Sequence, residues 1–270
     1  MPLDPEIRIV GDRVQVWEGG ELLNEAPLSR LLTQLRANDG SAVRIDPLPH
    51  RLRLLRLRRE VVGMVVEHPP HARTVRWIAD GSRPYGPKAR YRDVYLEFPF
   101  VVLLLVFRDG TPTGFQQLYY SKRGLDVEQD LYLPNLLNVA KGYEQRCWVC
   151  LQHLPDVSQL PWVEKLNAIV DHVFTAAWNR SAEEHEGNSY WSAMKGLDRR
   201  VSSVQAWERE TRKNRGFACE VPWKSAGTTA PAELDAMMDR VLPAAQLGSA
   251  RDLVGLIARG SPRSRRDLHR

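Results

Sequence analysis

Cysteine is scarce: three in 270 residues. The number is odd, and Cys147, Cys150 and Cys219 lack the regular spacing of a disulfide framework, so the chain suits a reducing cytoplasmic compartment. The N-terminus, Met1-Pro2-Leu3-Asp4-Pro5, has no basic stretch followed by an apolar run, which reads as no signal peptide. Long hydrophobic runs are missing too. The longest, Phe98 to Phe107, is about half of what a membrane-spanning helix needs, and its Val and Phe content marks a buried central strand. Metal-ligand spacing is thin: His68-Pro69-Pro70-His71 pairs two imidazoles, but no Cys or carboxylate cluster nearby completes a set. Glu183-Glu184-His185-Glu186 reads as a solvated acidic turn rather than a cation site. Neither a metal nor a cofactor is expected.

The 43% hydrophobic and 26% charged residues are ordinary for a soluble globular chain, and the length allows one large or two small domains. A net charge of +5 permits an acidic or nucleic-acid partner without requiring one. The candidate contacts are Arg51, Arg53, Arg56 and Arg58, in a run that ends at Arg59, and the basic C-terminal tail Gly260-Ser261-Pro262-Arg263-Ser264-Arg265-Arg266. The arginine run has no aromatic to stack a base. Period-two alternation produces the same pattern for a strand with a solvated arginine face and inward leucines, which is the favoured reading.

Ile7, Ile9, Val14 and Val16 alternate around Gly11-Asp12, a hairpin signal. Leu28, Leu31, Leu32 and Leu35 fall at helical spacing, and Asn38-Asp39-Gly40 ends that helix. Two strands follow between Arg51 and Glu67, then the stiff His-Pro-Pro-His corner, then a strand from Thr74 to Ile78. The strand from Tyr95 to Phe107 returns through Asp109-Gly110, a strong tight-turn signal, into Gly114 to Tyr120, giving an antiparallel meander. Leu131 to Cys150 carries too much Pro, Asn and Gly for a regular element and reads as a long ordered loop. Pro161 opens a helix with Ser158 or Asp156 as candidate caps, and Trp162, Leu166, Ile169, Val170, Val173 and Ala177 line its packed face. Ala226 to Pro231 resembles a linker, and short helices are predicted over 232–241 and 250–258. Tyr190, Trp191 and Trp207 are too many large aromatics to leave wet, so the region after Trp178 is predicted to pack back on the sheet.

The segment Leu133-Pro134-Asn135-Leu136-Leu137-Asn138-Val139, followed by Cys147-Trp148-Val149-Cys150-Leu151, gathers a kinking proline, two amides and two thiols in one loop. A thiol with an ordinary pKa near 8.5 is only slightly ionised at neutral pH, so a nucleophilic cysteine needs a positive or hydrogen-bonding neighbour. Arg146 and His153 are the candidates. An Asn side-chain N–H stabilises the oxyanion formed when an amine attacks a thioester, a contribution of about 3 kcal/mol. Asn138 is the first choice and Asn135 the second. The competing reading makes Cys147 and Cys150 small buried hydrophobes on a strand. A hydrolase assembled from Cys150, His172 and Asp156 has no support in the spacing.

An extended strand with Phe-Pro, a meander, a Pro-Asn or Asn-Val turn, a Gly, a Cys-Leu pair and a Trp opening a helix together resemble the ubiquitin-conjugating (UBC, E2) fold. More narrowly, the chain is similar to the prokaryotic E2-like proteins that occur with ubiquitin-like, E1-like and JAB-type peptidase partners. The resemblance covers roughly Thr74 to Trp178. It implies an α+β fold, an antiparallel β-meander packed against helices, with an N-terminal hairpin and helix and a C-terminal helical extension. The implied division is 1–70 for the N-terminal hairpin, helix and strands, 71–180 for the core, 181–258 for the helical extension and 259–270 for the basic tail. Cys150-Leu151 matches the active-site Cys-Leu, while neither Asn138 nor Asn135 has the family's preceding His. The resemblance implies an E2-like carrier with a thioester on Cys150, Asn138, Asn135 and His153 assisting, and a ubiquitin-like protein and E1-like enzyme as partners. A catalytically inactive adaptor of the same fold is the alternative, and a nucleic-acid-associated protein the second alternative.

Overall fold

The computed structural model describes residues 6–242 apart from 11–12, 19, 28–50, 59–60, 83–86, 127, 142–144, 152, 182–188 and 195. Over these residues the architecture is α+β, a mostly antiparallel curled sheet flanked by a few helices. The N-terminal strands β1 (Glu6–Val10), β2 (Arg13–Glu18) and β3 (Glu21–Pro27) form their own antiparallel sheet, in keeping with the alternation around Gly11-Asp12. The helix predicted from Leu28 to Leu35, the acidic turn Glu183–Glu186, the helix predicted over 250–258 and the basic tail lie outside the described residues.

The central sheet runs β4 (Leu52–Arg58), β5 (Val61–His68), β8 (Phe100–Arg108) and β9 (Thr111–Ser121) in antiparallel succession. Between β5 and β8 in the chain, β6 (His71–Ile78) pairs with β7 (Tyr91–Phe98) as a separate two-stranded sheet. The registers reveal one object. Pairing runs from Val61↔Arg108 to His68↔Val101 and resumes at His71↔Phe98, ending at Ile78↔Tyr91, with no residue gained or lost. β5–β6 and β7–β8 are therefore the two arms of a single long hairpin, broken where Pro69 and Pro70 stand opposite Phe100 and Pro99. A proline donates no ladder hydrogen bond, so three of them at one level split the sheet and bend it. The sequence pattern reads straight through Pro99; the structure ends one strand at Phe98 and starts the next at Phe100.

Inside the sheet β8 lies between β5 and β9, and helices cover both of its faces. α1 (Trp162–Thr175) sets Trp162 edge-on to Phe107, with ring centroids 5.1 Å apart. The opposite face, presented by Gly63 and its partner Val106, lies under the C-terminal helix α5 (Ala230–Val241). Val101 to Phe107 is buried without alternation for that reason. Asp109 (φ 50°) and Gly110 (φ 75°) are both left-handed, the backbone of a type I′ turn that joins β8 to β9.

Two predicted irregular stretches contain strands. The long loop holds β10 (Asp130–Tyr132), β11 (Val139–Ala140) and β12 (Trp148–Val149). The supposed linker is β13 (Ser225–Thr229), which pairs with β10, and the Thr229 hydroxyl caps α5. Pro161 is itself the N-cap of α1, with no side-chain cap, because Asp156 instead accepts from the Ser158 N–H at 2.9 Å. Ala177 falls beyond the helix, and Phe174 and Lys165 complete its buried face.

After α1 the chain returns to the sheet. The Trp178 N–H donates to Arg76 O at 2.7 Å, and the Ile78 N–H donates to Trp178 O at 2.9 Å. Three short helices follow: α2 (Tyr190–Met194), α3 (Val204–Lys213) and α4 (Phe217–Glu220). α3 closes the outer edge of β7. The Trp207 indole donates to Glu97 O at 2.8 Å, Thr211 Oγ1 accepts from the Glu97 N–H at 3.0 Å, and Glu208 accepts from the Tyr95 N–H at 3.2 Å. Side chains thereby occupy backbone groups that would otherwise invite another strand. Trp191 packs against Trp77 at 4.9 Å and Trp207 at 6.3 Å.

Candidate functional site

Strand β12 extends the sheet through a Trp148↔Gln117 pair with β9, and β11 lies beyond it through Val139↔Val149 and Ala140↔Trp148. Val139 and Val149 are fully buried. One step outward along the same ladder, the Cys150 N–H donates to Asn138 O at 2.9 Å. Antiparallel partners share a face with Cβ atoms about 5 Å apart, so the ladder brings the first-choice thiol and the first-choice amide together. Cys150 is half-buried. Asn138 is only 9% exposed, and both Nδ2 and Oδ1 are buried with no hydrogen-bond partner among the described residues. Leaving a buried polar group unmatched costs about 1–3 kcal/mol. The carboxamide therefore gains a hydrogen bond if it turns toward an oxygen held at the thiol.

Asn135 is not part of this pair. It is fully buried, its Oδ1 accepts from the Tyr120 hydroxyl at 3.4 Å, and Tyr120 packs on Trp223 at 4.8 Å. His153 is exposed and left-handed (φ 61°), in a turn closed by the Leu154 N–H donating to Leu151 O at 3.1 Å. Arg146 is drawn toward the C-terminal region: its guanidinium donates to Ala226 O at 2.7 Å and lies 3.8 Å from Glu233.

Cys147 is fully buried, with φ 52°. Burial pushes its thiol up to about 12, against the opposing hydrogen bonds of the Tyr190 and Tyr119 side chains. Such a thiol stays protonated and is a poor nucleophile, which leaves Cys150 as the reachable sulfur of the pair. Tyr119 and Tyr190 were missing from the sequence-derived site because 71 residues of chain separate them and no local pattern joins them.

Three arginines of the run, Arg53, Arg56 and Arg58, are bound internally. Arg53 donates to Glu67 at 3.0 Å, Arg56 pairs with Asp235, and Arg58 reaches Asp235 at 2.8 Å and Asp239 at 2.5 Å. Arg56 is 3% exposed, so the expected outward arginine face is only partly realised. The adjacent Leu54 and Leu55 interrupt the Arg/Leu alternation, and Arg56 pairs with Gly63 on the face of Leu54, beneath α5. No group of three or more metal-ligating side chains occurs among the described residues, and none of their helices is long and apolar enough to cross a membrane.

No family model matches the chain, and no curated protein or solved structure matches it either.

Proposed function

We propose that the chain is an E2-like carrier in which Cys150 holds the C-terminal acyl group of a ubiquitin-like protein. The Cys150 thiol gives up its proton and attacks the thioester presented by an E1-like enzyme, a new C–S bond forms as the C–S bond to the enzyme's cysteine breaks, and the departing thiolate takes up a proton. A primary amine then attacks the carrier's thioester, the Asn138 N–H donates to the oxyanion, and the Cys150 thiol is released. The observation that supports this reading is the ladder step that sets Asn138 beside Cys150. The order of elements supports it as well: a four-strand antiparallel meander, the thiol-bearing loop, then a helix opened by Trp162.

The inactive adaptor of the same fold is the second reading, favoured by the buried carboxamide and by Leu136-Leu137 standing where the family has His-Pro before the Asn. A nucleic-acid role through Arg53, Arg56 and Arg58 competes with the carboxylates those side chains already engage. The deciding experiment incubates the chain with ATP, an E1-like enzyme and a ubiquitin-like protein. A reductant-sensitive adduct that disappears in Cys150→Ala and persists in Cys147→Ala supports the carrier. An adduct that survives in Cys150→Ala sinks it, and the absence of any adduct favours the adaptor.

A further inference from the structure

Two features of the sequence, the arginine run and the His-Pro-Pro-His corner, remain outside the Cys150 site, and the fold brings them together at the bend of the long hairpin. The His68 and His71 rings lie 4.0 Å apart, and each Nδ1 is bonded to the same acceptor, Pro69 O, at 2.9 and 3.0 Å. Both rings pack edge-on to Phe174 of α1, at 5.7 and 4.8 Å. The Arg73 guanidinium sits 4.8 Å from the same Phe174 ring. Arg51 immediately precedes β4, its carbonyl accepts from the N–H of Glu67, the neighbour of His68, at 2.9 Å, and Arg51 and Arg73 both act electrostatically on the two imidazoles. Among the described residues neither Arg51 nor Arg73 is paired with a carboxylate, in contrast to Arg53, Arg56 and Arg58.

We propose that this bend binds a phosphate group, with Arg51 and Arg73 as the charged donors and the His68–His71 pair as imidazole donors beside them. A phosphate dianion supplies the acceptor oxygens that two unpaired guanidinium groups lack. It also suits the ring atom His71 Nε2, which is buried without a hydrogen-bond partner among the described residues. Because both Nδ1 atoms serve Pro69 O, a proton taken up at Nε2 converts each ring into a donor facing away from the backbone.

The other charged groups around the bend are Asp171 of α1, which acts on His68, and Glu67 of β5, which is occupied by Arg53 and by the Leu125 N–H. Burial, helped at His71 by the neighbouring His68 and at both rings by Arg51 and Arg73, holds the imidazoles below their ordinary value, His71 at about 4. A bound dianion opposes that shift, so binding takes up protons and tightens as pH falls. The inference is independent of any role for Cys150.

Isothermal titration calorimetry of the full chain with inorganic phosphate at low ionic strength near pH 7.5 tests it, pyrophosphate and phenyl phosphate distinguish a free from an esterified phosphate, and sulfate, a dianion at both values, carries the comparison of pH 6 with pH 7.5. Saturable one-site binding is expected, tighter at the lower pH, with proton uptake read from buffers of different ionisation enthalpy. Arg51→Gln and Arg73→Gln should each weaken it by about tenfold or more, while Arg58→Gln, whose side chain is turned to Asp235 and Asp239 of α5, leaves it unchanged. Should Arg73→Gln fail to fold, Arg51→Gln decides alone. Absence of saturable heat, equal binding by Arg51→Gln, or an oligonucleotide that binds the same bend without competition from phosphate overturns the proposal.

Discussion

Gly63 of β5 lies directly beneath Met238 of α5: a Cβ added to the glycine would stand 2.5 Å from the methionine sulfur and 3.1 Å from Leu234 Cδ1. The close approach of helix to sheet depends on this missing side chain. Gly63→Ala forces Met238 aside and should destabilise the protein by about 1–3 kcal/mol, the range for overpacking a well-filled core. The urea midpoint measures it. A shorter residue at 238 makes room, so the penalty of Gly63→Ala should be smaller in a Met238→Ala background; strict additivity would refute this contact as its source.

A second fastening of the same helix is electrostatic. Asp235 is shared by Arg56, which is 3% exposed, and by Arg58, whereas Asp239 pairs with Arg58 and its side chain is 62% exposed. Asp235→Ala leaves the Arg56 charge buried without that carboxylate, a loss of about 3–5 kcal/mol when such a pair is broken. Asp239→Ala should fall in the surface range of about 0–1 kcal/mol. Thermal unfolding of the two variants side by side distinguishes them, and equal losses would show that Arg56 is compensated elsewhere.

These two contacts also mark the boundary of what the sequence could reveal. The meander was legible because alternation and the Asp109-Gly110 turn are local signals, and the bend at Pro69, Pro70 and Pro99 is visible in the composition once the register is known. The meeting of Arg56 with Asp235 spans 179 residues of chain and leaves no local trace. β13 was hidden for a different reason. Ser225-Ala226-Gly227-Thr228-Thr229 has neither alternation nor bulk, and its strand form comes from pairing with β10. At the candidate site, choosing Asn138 over Asn135 rested on position in the motif. The physical difference between them, a ladder step from Cys150 against a place in the core, exists only in the fold.

Glu97 gives a pH signature opposite to that of most carboxylates. Burial raises its pKa above the ordinary 4.5, only partly offset by the Gly216 N–H that it accepts at 2.5 Å. The native state therefore holds this proton more tightly than the unfolded chain. The group's contribution is most favourable below the unfolded value and is lost as pH rises through the higher folded value. Glu97→Gln cannot ionise, so the stability difference between variant and wild type should move in the variant's favour as pH goes from about 4 to about 8. Denaturant unfolding across that interval measures it. A difference that stays flat would mean Glu97 ionises as readily in the folded state as in the unfolded one.

The three thiols should separate by reactivity in a way that bears on the carrier reading. With a pKa of about 12, Cys147 is ionised in roughly one molecule in ten thousand at pH 8, and it is sealed in the core besides. Cys219 is half-buried, and burial raises its thiol as well. Cys150 is also half-buried, on the strand face that it shares with Asn138 and Trp148. Brief treatment of the folded protein with iodoacetamide at pH 8, followed by peptide mass spectrometry, should label Cys150 first, Cys219 more slowly and Cys147 only after denaturation. Labelling of Cys147 at a rate equal to Cys150 would show that the core around Tyr119 and Tyr190 opens readily. A Cys150 as inert as Cys147 would remove the accessible nucleophile that any acyl transfer requires, and with it the reason to prefer the carrier over the adaptor.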